Sequence, residues 1–265
     1  MLRARLATAA VAIPLLLLLI LWGPAWGWAA FVSVIATIGL LEYSHMAFPE
    51  RRAEHVLTVV LGAGVVVAGC FAPPDLAIGA MAAALILGLT WVLLGRTDFE
   101  AGLRDLGVAL IGIFYLGILT PFFVKLLLLP QNGRYLVLLV IAVAMAGDTG
   151  GYFVGHRFGR HKLMPRVSPG KTVEGALGIL LGSLLGAALA RVLWLPEIEW
   201  TRILVLALIM GVIGQIGDLC ESVMKRTFGT KESGHLFPGH GGVLDRIDSL
   251  LFPAVFLYYH SILAG

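Results

Sequence analysis

Residues 202–224 read RILVLALIMGVIGQIGDLCESVM, residues 225–245 read KRTFGTKESGHLFPGHGGVLD, and residues 246–263 read RIDSLLFPAVFLYYHSIL. Two apolar runs, each close to the length of about 20 residues that a membrane span needs, flank a loop rich in glycine and charge. Ionised side chains are costly next to hydrocarbon, so those retained beside spans usually have a functional role. The stretch therefore predicts a membrane protein with a polar site at one surface.

The composition of the whole chain supports the same class. Hydrophobic residues make up 59% of the 265 positions and charged residues only 13%, whereas soluble domains have about 45–50% apolar and about 25% charged residues. The net charge of +3 is typical of the cytoplasmic loops of a membrane protein and does not indicate nucleic-acid binding. Cys70 and Cys220 both lie in apolar runs and form neither a zinc pattern nor a disulfide framework.

Hydrophobic runs along the chain predict an all-α fold, a polytopic transmembrane helix bundle of about nine spans. The predicted spans are residues 7–22, 25–47, 56–71, 75–94, 105–129, 135–155, 173–195, 202–224 and 246–263. Pro121 predicts a kink in the fifth span. We expect the first run to be a retained span rather than a cleaved signal peptide, because the next apolar run begins almost at once.

The distribution of basic residues predicts an orientation. With the N-terminus in the cytoplasm and nine alternating spans, all nineteen Lys and Arg residues except Lys125, Arg134, Arg191 and Arg202 fall on the cytoplasmic side, as the positive-inside rule requires. The loops 156–172 and 225–245 then face the cytoplasm. We expect an N-terminal region of transmembrane helices at 1–130 and a catalytic transmembrane region at 131–265, in the inner (plasma) membrane.

Small residues recur at a spacing of four in two of the predicted spans. These residues are Gly147, Gly151 and Gly155 in the sixth span and Gly178, Gly182 and Gly186 in the seventh. Such a spacing places them on one helix face, where they allow a neighbouring helix to approach closely. We interpret both faces as packing surfaces.

Two clusters of polar residues precede the loop at 225–245. Asp148 lies at the cytoplasmic half of the sixth span, where it is either an interfacial residue or the partner of a cation. Ser168, Lys171, Thr172 and Glu174 surround the predicted start of the seventh helix. Free N–H groups and positive potential at a helix N-terminus favour phosphate, although contact of a basic loop with lipid headgroups explains the same residues.

The third cluster is formed by two helices. Asp218, Glu221, Ser222 and Lys225 have the spacing of one helix face, and Asp245 and Asp248 share a face of the next helix. Carboxylates that converge repel one another unless a cation lies between them, and oxygen ligands suit Mg²⁺, which usually binds carboxylates together with substrate phosphates.

The stretch 222–248, SVMKRTFGTKESGHLFPGHGGVLDRID, resembles the signature of the phosphatidate cytidylyltransferases, the CDP-diacylglycerol synthases. Residues 148–155 and 168–175 also resemble segments of that family and occur in the same order. Residues 1–130 are similar to the family only in being apolar spans. Glu232 stands where the family usually has Asp, which leaves the role of this position open.

The resemblance implies that the protein joins CTP and phosphatidic acid to give CDP-diacylglycerol and pyrophosphate. The implied catalytic residues are Asp218, Asp245, Asp248 and Lys171, and the same three aspartates are the implied Mg²⁺ ligands. A second, monovalent cation such as K⁺ is expected to share the site. The implied substrate-binding residues are Ser168, Thr172, Glu174, Lys225, Arg226, His240 and Asp148. The expected partners are the two substrates and the lipid bilayer, without nucleic acid; a homodimer is left open.

Other functions stay open at this point. A CTP-dependent kinase of a polyprenol-type lipid, or a cytidylyltransferase acting on archaeal-type ether lipids, would use the same residue types. A transporter of an anionic substrate would instead place charges near the bilayer midplane, between broken helices of repeated halves. Here the charges crowd at one predicted surface and no repeat is evident, which favours an enzyme.

Overall fold

The computed structural model of the protein describes residues 13–234 and 241–263. Its elements in chain order are α1 (Ile13–Trp22), α2 (Ala25–Ala47), α3 (Arg52–Phe71), α4 (Pro74–Gly95), α5 (Phe99–Leu119), α6 (Pro121–Leu127), α7 (Gly133–Phe158), β1 (Lys162–Met164), β2 (Ser168–Thr172), α8 (Val173–Trp194), α9 (Trp200–Thr227) and α10 (Leu244–Leu263).

Seven of the described helices are long and apolar enough to cross a membrane: α2, α3, α4, α5 with α6, α7, α8 and α9. They correspond to the second to eighth predicted spans, and they support an integral membrane protein with a helical bundle. The helix α1 is shorter, and α10, which carries Asp245 and Asp248, is not among the seven. The count of nine spans and the cytoplasmic N-terminus therefore stay predictions.

The predicted kink at Pro121 is confirmed. The helix α5 ends at Leu119 and α6 begins at Pro121, because proline lacks the N–H group of the helical ladder and its ring collides with the preceding turn. Gly69 of α3 leaves room for that ring: a Cβ atom at Gly69 would lie 2.5 Å from Pro121 Cγ.

A β-hairpin lies within the segment that the sequence predicts as a loop. The strands β1 and β2 pair antiparallel, with Lys162 opposite Thr172 and Met164 opposite Ser168. Strands of three and five residues that contain a proline show no alternating pattern, which explains why the hairpin is not predicted. The all-α prediction therefore needs this small correction.

The chain divides into two compact units. Unit A is formed by Pro24–Val124 and Glu232–Leu244, and unit B by Met1–Gly23, Lys125–Lys231 and Asp245–Gly265. In unit A, Val65, Ala84 and Ile113 form a hydrophobic core. The ring of Tyr43 packs directly on Gly112 of α5, and its hydroxyl group donates a hydrogen bond to the Val108 carbonyl at 2.8 Å. The functional boundary at residue 130 stays a prediction.

In unit B the glycine faces of α7 and α8 are packing surfaces, as predicted, and they pack against each other. A Cβ atom at Gly150 would lie 2.4 Å from the Gly178 carbonyl oxygen, and one at Gly182 would lie 2.1 Å from the Ala146 carbonyl oxygen. Gly147 faces Ser183 on the same interface. Side chains larger than hydrogen do not fit at these crossing points, so the two helices approach backbone to backbone.

Candidate active site

One face of α9 carries two acidic residues followed by a basic residue close to its C-terminal end. Asp218, Glu221 and Lys225 lie on this face because they are three and four residues apart. The Glu221 side chain is fully buried, at 0% exposure, and Lys225 is 9% exposed. The ammonium group of Lys225 forms ion pairs with Glu221 and with Asp245 of α10, whose Oδ1 lies 2.5 Å away.

Two glycines of α9 bring α10 close enough to complete the cluster. A Cβ atom at Gly217 would lie 2.6 Å from the Asp248 carbonyl oxygen, and one at Gly214 would lie 3.0 Å from the Ser249 carbonyl oxygen. Asp248 is therefore held against α9 and is only 7% exposed. Its Oδ1 accepts a hydrogen bond from the Ser249 N–H at 2.6 Å.

Carboxylate oxygens of Asp218, Glu221 and Asp248 lie within 4.8 Å of one another. Within residues 13–234 and 241–263, Lys171 pairs with Asp218, Lys225 is shared between Glu221 and Asp245, and Asp248 forms no salt bridge. Buried carboxylates are strongly destabilised unless a positive charge or hydrogen-bond donors satisfy them. Three convergent oxygen donors of this kind fit a hard divalent cation such as Mg²⁺.

The ligand set that this geometry suggests differs in one member from the predicted set. Glu221 lies beside Asp218 and Asp248, and Asp245 is not part of this group of three, although Lys225 contacts both Glu221 and Asp245. Glu221 is not among the site residues predicted from the sequence. Its signal is its position three residues after Asp218 and four before Lys225, on the face that the sequence analysis identified.

Lys171 reaches the cluster from the β-hairpin. Its Nζ lies 2.6 Å from Asp218 Oδ2, and both side chains are largely shielded from solvent. The helix α8 begins at Val173, where the seventh predicted span begins, but residues 170–172, which we expected to open the helix, form the end of β2. Thr172 is the N-cap of α8 and accepts a hydrogen bond from the Gly175 N–H at 3.0 Å.

Two predicted substrate-binding residues hold the hairpin in the structure. Glu174, in the first turn of α8, accepts a hydrogen bond from the backbone N–H of Arg160 at 3.0 Å and contacts Nδ1 of His161 at 2.6 Å. Arg226 donates from Nε to the Val167 carbonyl at 3.0 Å. These contacts fix both ends of the hairpin against α8 and α9, and thereby the position of Lys171.

Asp148 lines a small cleft together with Asp218. Residues of α7, α8, α9 and α10 form its walls, which are mostly apolar or small, with Ser183, Gln215 and Ser249 as further polar members. Ser168 stands half-buried at the start of β2. His240 lies outside the described residues. The structure thus brings Asp148, Lys171, Lys225, Asp218, Asp245 and Asp248 into one part of unit B.

The arrangement combines three functions that transfer of a phosphorus group needs. Convergent carboxylates suit a divalent cation, Lys171 places an ammonium group beside them that can neutralise a phosphate, and the cleft provides a partly apolar wall. Reactions of this type depend on positioning and charge neutralisation rather than on a covalent intermediate with the protein.

Comparison with known proteins agrees with this chemistry. The model of the cytidylyltransferase family matches residues 3–263. A protein of Bacillus subtilis called phosphatidate cytidylyltransferase is 39% identical over 177 residues, which cover 66% of this chain and 65% of the relative. A protein of Synechocystis with the same name is 34% identical, over 98% of this chain and 96% of the relative.

A third relative, from Staphylococcus aureus and again called phosphatidate cytidylyltransferase, is 32% identical over 84% of this chain and 85% of its own length. The family match extends over nearly all of the sequence, so it includes the apolar helices of unit A as well as the polar cluster of unit B. The chain therefore belongs to the cytidylyltransferase family, whose members are nucleotidyltransferases.

Proposed function

We propose that the protein is a phosphatidate cytidylyltransferase, which joins CTP and phosphatidic acid to form CDP-diacylglycerol and pyrophosphate in phospholipid synthesis. The observation that carries the proposal is the buried cluster of Asp218, Glu221 and Asp248, with Lys171 and Lys225 in direct contact, in a protein of apolar helices. The names of the relatives support the choice of substrates.

The carboxylate cluster would hold the metal. Asp218, Glu221 and Asp248 are the residues we assign to Mg²⁺. Asp245, a ligand predicted from the sequence, contacts Lys225 in this structure, as Glu221 also does. A bound Mg²⁺ would neutralise charge on the phosphates of the nucleotide. A monovalent cation such as K⁺ in the same acidic cluster is a further proposal.

The reaction needs little from the protein except alignment. An oxygen of the lipid phosphate attacks the α-phosphorus of CTP, the bond from that phosphorus to the bridging oxygen of the β-phosphate breaks, and pyrophosphate leaves with the electron pair. Phosphate monoesters carry about −1.5 to −2 charges at neutral pH, so no side chain has to remove a proton from the attacking oxygen.

The ammonium groups of Lys171 and Lys225 have separate roles in this proposal. Lys171 exchanges Asp218 for a phosphate oxygen of the nucleotide and stabilises the charge that develops on the leaving pyrophosphate. Lys225 stays between Glu221 and Asp245 and orients both carboxylates. Ser168, Thr172, Asp148, Glu174, Arg226 and His240 are proposed substrate-binding residues.

In a membrane, the two substrates would reach the site from different phases. Phosphatidic acid is a component of the bilayer and reaches the cleft laterally, while CTP arrives from the aqueous phase. The distribution of Lys and Arg supports a site that faces the cytoplasm in the inner membrane. A homodimer is compatible with the proposal, which does not depend on one.

The test uses purified protein in lipid nanodiscs with phosphatidic acid and CTP labelled at the α-phosphorus. We expect label to enter the lipid fraction as CDP-diacylglycerol when Mg²⁺ is present, and not after chelation. A parallel assay uses CTP labelled at the γ-phosphorus. Label from the γ-position in the lipid would identify a lipid kinase and contradict the proposal, as would uptake of labelled anion into sealed vesicles without any labelled lipid.

A further inference from the structure

Glu42 is a carboxylate on the apolar helix α2, far from the signature residues in sequence. One oxygen, Oε1, accepts a hydrogen bond from the Val243 N–H at 2.9 Å, and Oε2 accepts one from the Leu244 N–H at 2.9 Å. Oε2 also accepts the hydroxyl hydrogen bond of Ser233 at 3.2 Å. A single side chain therefore binds both ends of the segment between Ser233 and Leu244.

Two glycines of that segment make these contacts possible. A Cβ atom at Gly234 would lie 2.6 Å from Glu42 Oε1, and one at Gly242 would lie 2.4 Å from Glu42 Oε2. Any larger residue at either position would push the carboxylate away from its donors. The close approach of the backbone at Gly234 and Gly242 to Glu42 is a second observation, separate from the hydrogen bonds.

The chemistry of the contact explains why the residue is an acid. Leu244 is the first residue of α10, and the first N–H groups of a helix have no acceptor within the helix. A carboxylate there accepts strong charge-assisted hydrogen bonds and complements the positive end of the helix dipole. A carboxylate on an apolar helix is otherwise unfavourable, so its retention needs such a partner.

We propose that Glu42 is a positioning residue for the reaction, a role that rests on the proposed function. It fixes residues 243 and 244, and Asp245 follows in the same first turn of α10. Without Glu42, the two ends of the segment lose their common anchor and the start of α10 frays. The first 130 residues, which resemble the family only as apolar spans, would thereby contribute to catalysis through one side chain.

Hydrogen exchange tests the contact without reference to activity. We expect amide exchange in peptides that cover residues 241–251 to accelerate in Glu42→Leu, which has no acceptor, and less in Glu42→Gln, which keeps one. Peptides of α8, residues 175–190, should exchange as in the wild type. The matched control is Glu50→Gln, which removes an exposed carboxylate just beyond the end of α2 and should leave both regions unchanged.

Turnover tests the positioning role. Glu42→Leu removes the acceptor of the Val243 and Leu244 N–H groups. We expect kcat to fall roughly 10- to 100-fold, the scale of leaving such donors without a partner. The KM for CTP should stay near the wild-type value. Glu42→Gln should recover part of kcat. In the Ser233→Ala background the effect of Glu42→Gln should shrink, since the two residues share a hydrogen bond.

The results separate this inference from the proposed function. Unchanged exchange at residues 243 and 244 in Glu42→Leu would overturn the contact, and faster exchange throughout the protein would show a general stabilising role and overturn positioning. A kcat of Glu42→Leu equal to that of the control Glu50→Gln would also overturn the positioning role. If the wild-type protein makes no CDP-diacylglycerol, the proposed function fails, while the exchange data still decide the contact.

Discussion

Glu221 is fully buried, and its carboxylate lies within 4.8 Å of those of Asp218 and Asp248. We expect Glu221→Gln, like Asp218→Asn, to lower kcat/KM by about 100-fold or more, the scale on which preorganised electrostatic groups act, and to raise the Mg²⁺ concentration for half-maximal rate. Titration of turnover with Mg²⁺ measures this.

The control for Glu221→Gln is Glu199→Gln, which removes an exposed acid at the opposite end of α9 and should leave the titration unchanged. Asp245→Asn provides a second comparison. Asp245 contacts Lys225 and lies outside the proposed ligand set, so this variant shows whether loss of a neighbouring carboxylate alone changes the Mg²⁺ dependence. Ordinary Mg²⁺ dependence in Glu221→Gln would remove this residue from the proposed ligand set and return the assignment to the three aspartates.

Lys171 is the second residue whose substitution should strongly lower kcat/KM. Its ammonium group lies 2.6 Å from Asp218, so Lys171→Ala should lower kcat/KM by about 100-fold or more through loss of a positioned cation. Lys162→Ala removes an exposed charge from the neighbouring strand β1 and should cost much less. Small and equal effects of both would mean that the hairpin serves only as a basic membrane surface.

At the residue scale, spacing within one helix could be predicted and pairing between distant segments could not. Asp218 and Lys225 could be assigned to a common face because a helix has a fixed period. Glu42 could not be connected with Val243, since nothing local marks a partner about two hundred positions away. The only signal was a Glu within an apolar run, which is unusual in a span.

At the element scale, the contact between α7 and α8 sets the clearest limit on side-chain size. Gly182 lies against the Ala146 backbone, so Gly182→Leu must separate the two helices, and overpacking of this kind destabilises by about 1–3 kcal/mol. We expect a lower midpoint of thermal unfolding in detergent. Gly79→Leu on α4, where a Cβ atom meets nothing within 4 Å, should unfold near the wild-type temperature.

An equal midpoint of thermal unfolding for Gly182→Leu and Gly79→Leu would contradict the close packing of α7 and α8.

Some features at the element scale could be predicted from sequence patterns. Glycine spacing predicted their contact face correctly, and Pro121 predicted the break between α5 and α6. The hairpin that carries Lys171 could not be predicted, because its strands are too short for an alternating pattern and are held by Glu174 and Arg226.

At the scale of the whole molecule, the positive-inside pattern predicts which side of the membrane the site faces. In a background with Cys70→Ala and Cys220→Ala, a cysteine introduced by Arg160→Cys should resist an impermeant thiol reagent in intact cells and react after lysis. Both Arg160 and Gln131 are exposed in the structure. Gln131→Cys, on the predicted outer side, should react without lysis, and the reverse pattern would overturn the orientation.

The ion pair between Lys171 and Asp218 has a consequence for product release. The ammonium group cannot bind its own carboxylate and an outgoing anion at the same time, so Asp218 acts as a built-in competitor. When a binding-competent state is only part of the population, apparent affinity falls by that fraction. In the proposed reaction the site would therefore bind pyrophosphate less tightly than its positive charge alone suggests, and accumulated product would inhibit less.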